Sequence, residues 1–125
     1  VNCDRVFKQY MSEEIKPLFL PLTNDSKIER IKRMPCLFAN ENRHYGYTTE
    51  EQVLGFGYVR DIQLRRDGIK VYPHVICCLK QQRFNEALSN LDLYGNEKCN
   101  EFNRMHWAIK NVDLIAELQE MGFQI

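Results

Sequence analysis

At 125 residues and 14.9 kDa the chain has the length of one domain, long enough to bury roughly two-thirds of its unfolded surface without a disulfide or metal. Lysine plus arginine and aspartate plus glutamate are each 17, giving a net charge of zero, which argues against nucleic acid as the partner, since a dedicated duplex-DNA or RNA domain draws most of its affinity from phosphate neutralisation. Hydrophobic residues make up 44% and charged residues 27% with no low-complexity tract, so disorder is expected only at ends and loops.

Asp4 is placed to cap a first helix over 5–16, with Phe7, Tyr10, Met11 and Ile15 on one side and Pro17 ending it. Prolines at 17 and 21 make 16–22 an extended connector. The polar residues Thr23, Asn24, Asp25 and Ser26 then cap a short helix over 27–34, whose Ile28 and Ile31 alternate with basic residues until Pro35 stops it. Residues 36–40 form an apolar run bounded by proline and a polar loop, which reads as a buried first strand. The loop 41–52 carries His44, Tyr45 and Tyr47 around Gly46. Aromatic side chains on a long loop point to a partner-binding surface.

The stretch 54–79 reads as a β-hairpin turning at Asp67-Gly68. Tyr58, Ile62 and Leu64 share one face by parity, and Ile69, Val71, Val75, Cys77 and Leu79 share the corresponding face across the turn. Arg60 falls on that same apolar face, between Tyr58 and Ile62, and Pro73 marks an edge or a bulge because it cannot donate to a ladder. Downstream, Phe84, Ala87, Leu88 and Leu91 form one helical stripe within 80–91. In 103–112, Met105, Trp107 and Ile109 alternate with His106, Ala108 and Lys110, which is strand periodicity. Asp113 caps a last helix with Leu114, Ile115, Leu118 and Met121 on its apolar side and Gly122 as its stop. The predicted order is therefore α-α-β-β-β-α-β-α. It describes a single α+β domain over 1–125 with an antiparallel, strongly curved sheet or partial barrel of about four strands, its helical N-terminal segment over 1–35 packing on a sheet–helix core over 36–125.

Five cysteines, Cys3, Cys36, Cys77, Cys78 and Cys99, are odd in number, lack framework spacing and follow no signal peptide, which fits a reducing, cytoplasmic setting. No apolar run is long enough to span a bilayer. The absence of an initiator methionine suggests a processed chain or a domain cut from something longer.

Several constellations bear on chemistry. His74 with Cys77 and Cys78, and His106 from the last predicted strand, supply the residue types of a cysteine nucleophile. Parity weighs against that use, because it puts Cys77 in the core and Cys78 on the other face. Zinc would draw on Cys36, Cys77, Cys78, Cys99 and a histidine, but no closely spaced ligand pairs are present. Gly55-Phe56-Gly57-Tyr58 lacks the further glycine and the Lys-Ser/Thr of a phosphate loop, so its glycines read as a bend in a twisted strand. Arg60, Arg65, Arg66 and Lys70 on the hairpin, with Tyr58 and Tyr72 nearby, compose a basic and aromatic surface able to take phosphates or a nucleotide. Arg104, His106 and Lys110 would share one face of the last strand and extend it. Read blandly, these are solvated charges protecting a hairpin tip and an ordinary polar strand face.

The segment 35–41, the glycine-bearing hairpin and the run 103–114 resemble small β-rich accessory domains of bacterial multidomain signalling or defence proteins. That resemblance implies a recognition or oligomerisation module beside an effector domain and brings no catalytic residues. The reading is a binding or assembly module rather than an enzyme, with a protein partner or a second copy engaged through His44, Tyr45 and Tyr47, and no cofactor or metal implied. The alternatives are recognition of an anionic ligand, nucleotide or nucleic acid by the basic face, and a cysteine-dependent enzyme.

Overall fold

A computed structural model describes residues 12–19, 25–66, 68–96, 98–103 and 108–125. Among them lie, in order, α1 (Lys16–Phe19), α2 (Asp25–Lys32), β1 (Pro35–Phe38), β2 (Val53–Arg65), β3 (Gly68–Lys80), α3 (Gln82–Asn85) and α4 (Leu114–Glu120), with 3-10 turns at Ser89–Leu91 and Glu101–Asn103. The strands form one antiparallel sheet in the order β1-β2-β3. This is a mixed α+β architecture, but among the described residues the sheet is open and has three strands, where a curved sheet or partial barrel of about four was expected.

The fourth strand was expected over 103–112. Residues 104–107 lie outside the described set, and the flanks are a 3-10 turn and irregular chain. Consecutive Ala108 and Ile109 both pack into the same apolar cluster, which strand alternation forbids. Lys110 instead reaches the buried Glu101, its Nζ 2.9 Å from Oε2. The helices are also shorter than their stripes implied. Pro17 sits inside the first turn of α1, where its missing N–H is harmless, rather than ending a helix over 5–16, most of which lies outside the described residues. The 80–91 stripe divides into α3 and a 3-10 turn, which Asp92 ends with a left-handed φ of 55°.

β2 and β3 have 13 residues each, and their register explains how the hairpin packs. Arg65 pairs with Gly68, one step earlier than a turn at Asp67-Gly68, so Leu64 faces Ile69 and Ile62 faces Val71. Two register shifts interrupt the ladder. Phe56 and Gly57 pair with Cys77 and Val75, leaving Ile76 as the extra residue on β3; Val59 and Asp61 pair with Pro73 and Tyr72, leaving Arg60 as the extra residue on β2. The ladder breaks at Pro73, as its missing donor requires.

The second bulge changes which side chains share a face. Leu54 and Phe56 pack with Leu37, Cys77, Leu79, Phe84, Leu91 and Leu118, under α3 and α4. Val59 and Ile62 belong to a separate cluster on the other face, with Ile28 and Ile31 of α2, Ile69 and Val71. The single apolar face predicted for the hairpin is therefore two half-faces on opposite sides. Leu64 and Val75, assigned to it by parity, are 49% and 46% exposed. Gly57 is required where β3 bulges, because a Cβ there would come within 1.9 Å of the His74 carbonyl oxygen.

α4 matches its sequence signals. The Asp113 side chain accepts the Ala116 N–H at 3.2 Å, Leu118 is fully buried, and Gly122 leaves the helix at φ 95°.

Candidate functional site

Residues 41–52 link β1 to β2 and fold back as a tight tip, in which His44 N donates to the Tyr47 carbonyl at 3.1 Å and Tyr47 N to the His44 carbonyl at 3.3 Å. The His44 and Tyr47 rings stack at 5.1 Å with 23° between their planes. Tyr45 takes a left-handed φ of 55°, a conformation that costs a non-glycine residue about 1–3 kcal/mol. It holds its ring in solvent, 75% exposed, beside a Tyr47 that is 54% exposed.

A network of buried amides beneath the tip offsets that strain. Asn42 Nδ2 donates to the Tyr45 carbonyl at 2.7 Å and to Asn85 Oδ1 at 2.9 Å. Its Oδ1 accepts from Gln81 Nε2 at 2.9 Å and Asn85 Nδ2 at 3.1 Å. Asn100 Nδ2 donates to the Gly46 carbonyl at 3.3 Å and to Asn85 Oδ1 at 2.9 Å, while Asn103 Nδ2 also donates to the Tyr45 carbonyl. Thr48 N donates to Gln82 Oε1 at 2.8 Å, and Gln81 Nε2 to the Asn40 carbonyl at 2.9 Å. The Tyr45 and Gly46 carbonyls are thus gripped by Asn42, Asn100 and Asn103, while α3 acts behind them, Asn85 accepting from Asn42 and Asn100 and Gln82 from the Thr48 N–H. Each buried amide left unmet would cost about 1–3 kcal/mol, so the network favours one loop conformation over its alternatives.

The sequence marks His44, Tyr45 and Tyr47 but not Asn42, Gln81, Gln82, Asn85, Asn100 and Asn103 that position them. The only available signal was the concentration of Asn and Gln in three separate loops and caps.

The basic candidates divide. Arg60, expected between Tyr58 and Ile62 on one apolar face, stands at the bulge that turns Ile62 to the other side, and its Cζ lies 5.6 Å from the centroid of the Tyr72 ring. Lys70 Nζ lies 5.0 Å from the same centroid. The Tyr72 hydroxyl donates to Gln63 Oε1 at 3.1 Å, and Arg65 Nη2 donates to that same oxygen at 3.2 Å. Arg66 is exposed at the turn. Lys110 is not part of this group: it is held by Glu101 and lies 4.4 Å from the Tyr94 ring centroid. Arg104 and His106 lie outside the described residues, and the basic cluster among the described residues is the one on the hairpin.

The cysteine constellation has no assembled nucleophile among the described residues. No hydrogen bond joins His74 to Cys77 or Cys78, and Cys77 packs in the cluster around Phe84. Burial pushes the Cys36 thiol up to about 12, against a weaker opposing effect of its contact with the Leu37 carbonyl. Cys36, Cys77, Cys78 and Cys99 are free thiols, and no group of three or more His, Cys, Asp or Glu side chains among the described residues could hold a metal ion. At pH 8, a thiol reagent is expected to modify exposed Cys78 and Cys99 and to leave Cys36 unmodified until the chain unfolds, as read by mass spectrometry. Unfolding frees the Cys36 thiol to ionise near 9 while the folded thiol stays protonated to about 12, so this group lowers stability as pH rises through that window.

No family model, curated protein or solved structure matches this chain. Among the described residues, no helix is long and apolar enough to cross a membrane.

Proposed function

We propose that the chain is a non-enzymatic binding and assembly module that engages a second copy or another protein through the tip formed by His44, Tyr45 and Tyr47. The observation that carries this reading is the combination of two largely exposed tyrosines with a backbone fixed from below by buried amides. Tyrosine supplies a large amphipathic contact area at low conformational cost, and a pre-ordered tip has little further entropy to lose on binding. Aromatic anchors of this kind dominate the energetics of protein interfaces.

Self-association is the form most directly tested. Sedimentation equilibrium from about 10 μM to about 1 mM is expected to show mass above the 14.9 kDa monomer. Tyr45→Ser combined with Tyr47→Ser is expected to return it to the monomer value. A monomeric wild type across that range removes self-association, and association that survives the double substitution removes the tip as its surface.

A further inference from the structure

We propose that the outer face of the β2–β3 hairpin, built from Arg60, Gln63, Arg65, Lys70 and Tyr72 with Arg66 at the turn, binds the phosphate backbone of single-stranded nucleic acid. The surface is separate from the aromatic tip and does not depend on its role.

The first step is the bulge. Without an extra residue, strand parity would turn Ile62 to the side of Phe56 and Arg60, away from Val59 and α2. With it, Val59 and Ile62 keep the opposite face packed against α2 while Arg60 is delivered beside Tyr72. One irregularity thus keeps Ile62 in the core and leaves Arg60 beside Tyr72 on the face that α2 does not cover.

The second step is charge. Lys16, Lys32, Lys80 and Lys110 each have a carboxylate within 4.0 Å. Among the described residues, Arg60, Arg65, Arg66 and Lys70 have none. Asp61, the acidic residue within this stretch of β2, turns its Oδ1 to the Ile62 N–H at 2.9 Å. Residues 60–70 hold four cations against Asp61 and Asp67, the latter outside the described residues, so a local excess of two positive charges stands, in a chain of zero net charge, for an external anion to neutralise.

The third step is spacing and preorganisation. The strand rise of about 3.3 Å per residue places Arg60 and Arg65 roughly 16 Å apart along β2, long enough to follow successive phosphates rather than a single anion. Two cations rest on one ring, and that ring is fixed through its hydroxyl to Gln63, so they are held before a ligand arrives. A single strand suits the site better than a duplex. Only one face of this ribbon is open, because α2 covers the other, and half-buried Tyr58 and Tyr72 offer ring surface beside the cations for unpaired bases.

The test is fluorescence anisotropy with a labelled oligo-dT of about 20 nucleotides, a duplex of the same length and a labelled poly-glutamate peptide. Binding to oligo-dT is expected, with log K falling against log salt at a slope of about −2 to −3, as neutralising three to four phosphates on a single strand gives. Arg60→Gln and Lys70→Gln are each expected to reduce that slope by about 0.7 and to weaken binding. Both positions are exposed, and unchanged thermal melts will verify that the fold survives; Arg65→Gln combined with Arg66→Gln provides an independent second variant. Failure to bind oligo-dT at low salt, binding indifferent to both sets of substitutions, or tighter binding of the duplex or of poly-glutamate would each overturn the proposal. Loss of tip-mediated association leaves it standing, so the two surfaces fail separately.

Discussion

Phe84→Ala is expected to lower the free energy of unfolding by about 3–5 kcal/mol, the range for deleting a fully enclosed phenyl ring. Phe84 is 0% exposed, stacks on Phe123 at 5.6 Å with 11° between the rings, and packs with Leu54, Phe56, Leu91 and Leu118. It is therefore the point where β2, α3, the turn Ser89–Leu91 and α4 meet. A chain of this length should lose roughly 10–20 °C in melting temperature. Phe84→Leu, which keeps most of the volume, should cost about 1–2 kcal/mol. Urea unfolding curves of the two variants decide the matter: equal, small shifts would mean that the cluster closes around the lost ring and is not the keystone described. The same substitution has a consequence at the tip, because Gln81, Gln82 and Asn85 project from the short segment that Phe84 anchors.

That coupling also shows why some of the molecule can be read from its sequence and some cannot. The hairpin is legible because period-two patterning and a proline act locally. Ile62 and Leu64 share a face with Ile69 and Val71 and the ladder breaks at Pro73, although the turn falls one residue before Asp67-Gly68, so that Leu64 faces Ile69 and not Val71. The bulge residue is not legible, since Pro73 signals an interruption without saying which strand takes the extra residue. Placing it at Arg60 reverses the face on which every later β2 side chain lies. The stretch 103–112 misleads for a different reason: its alternation is real in the residue letters, but Ala108 and Ile109 go together into one cluster while Lys110 is drawn to Glu101. Tertiary packing there overrides local pattern. At the tip the exposed aromatics announce themselves, whereas the amides beneath them come from positions as much as 58 residues apart, as in the contact between Asn42 and Asn100. Such partnerships leave no periodicity to detect.

Asn42→Ala is expected to release the tip. Its side chain is the shared member of the amide network, touching Tyr45, Gln81, Asn85 and Asn100. Alanine removes all of these bonds at once and leaves buried polar atoms of its neighbours short of partners, at about 1–3 kcal/mol for each that water cannot reach. Gln81 Nε2 retains the Asn40 carbonyl and the Tyr45 carbonyl retains Asn103, so the net cost should be near ~3 kcal/mol rather than the sum of every broken bond. The sharper readout is local. The His44 and Tyr47 amides are bonded to each other's carbonyls across the tip, and hydrogen exchange at these two sites should rise by more than the global destabilisation accounts for. Asn40→Ala, which removes an exposed side chain while leaving its backbone carbonyl in place, should leave exchange at the tip unchanged. If Asn42→Ala alters stability but not the relative protection of His44 and Tyr47, the buried amides serve the fold alone. If the tip loosens and association weakens with it, then the left-handed Tyr45, strained by its own φ and held by its carbonyl, is ordered for the purpose of binding.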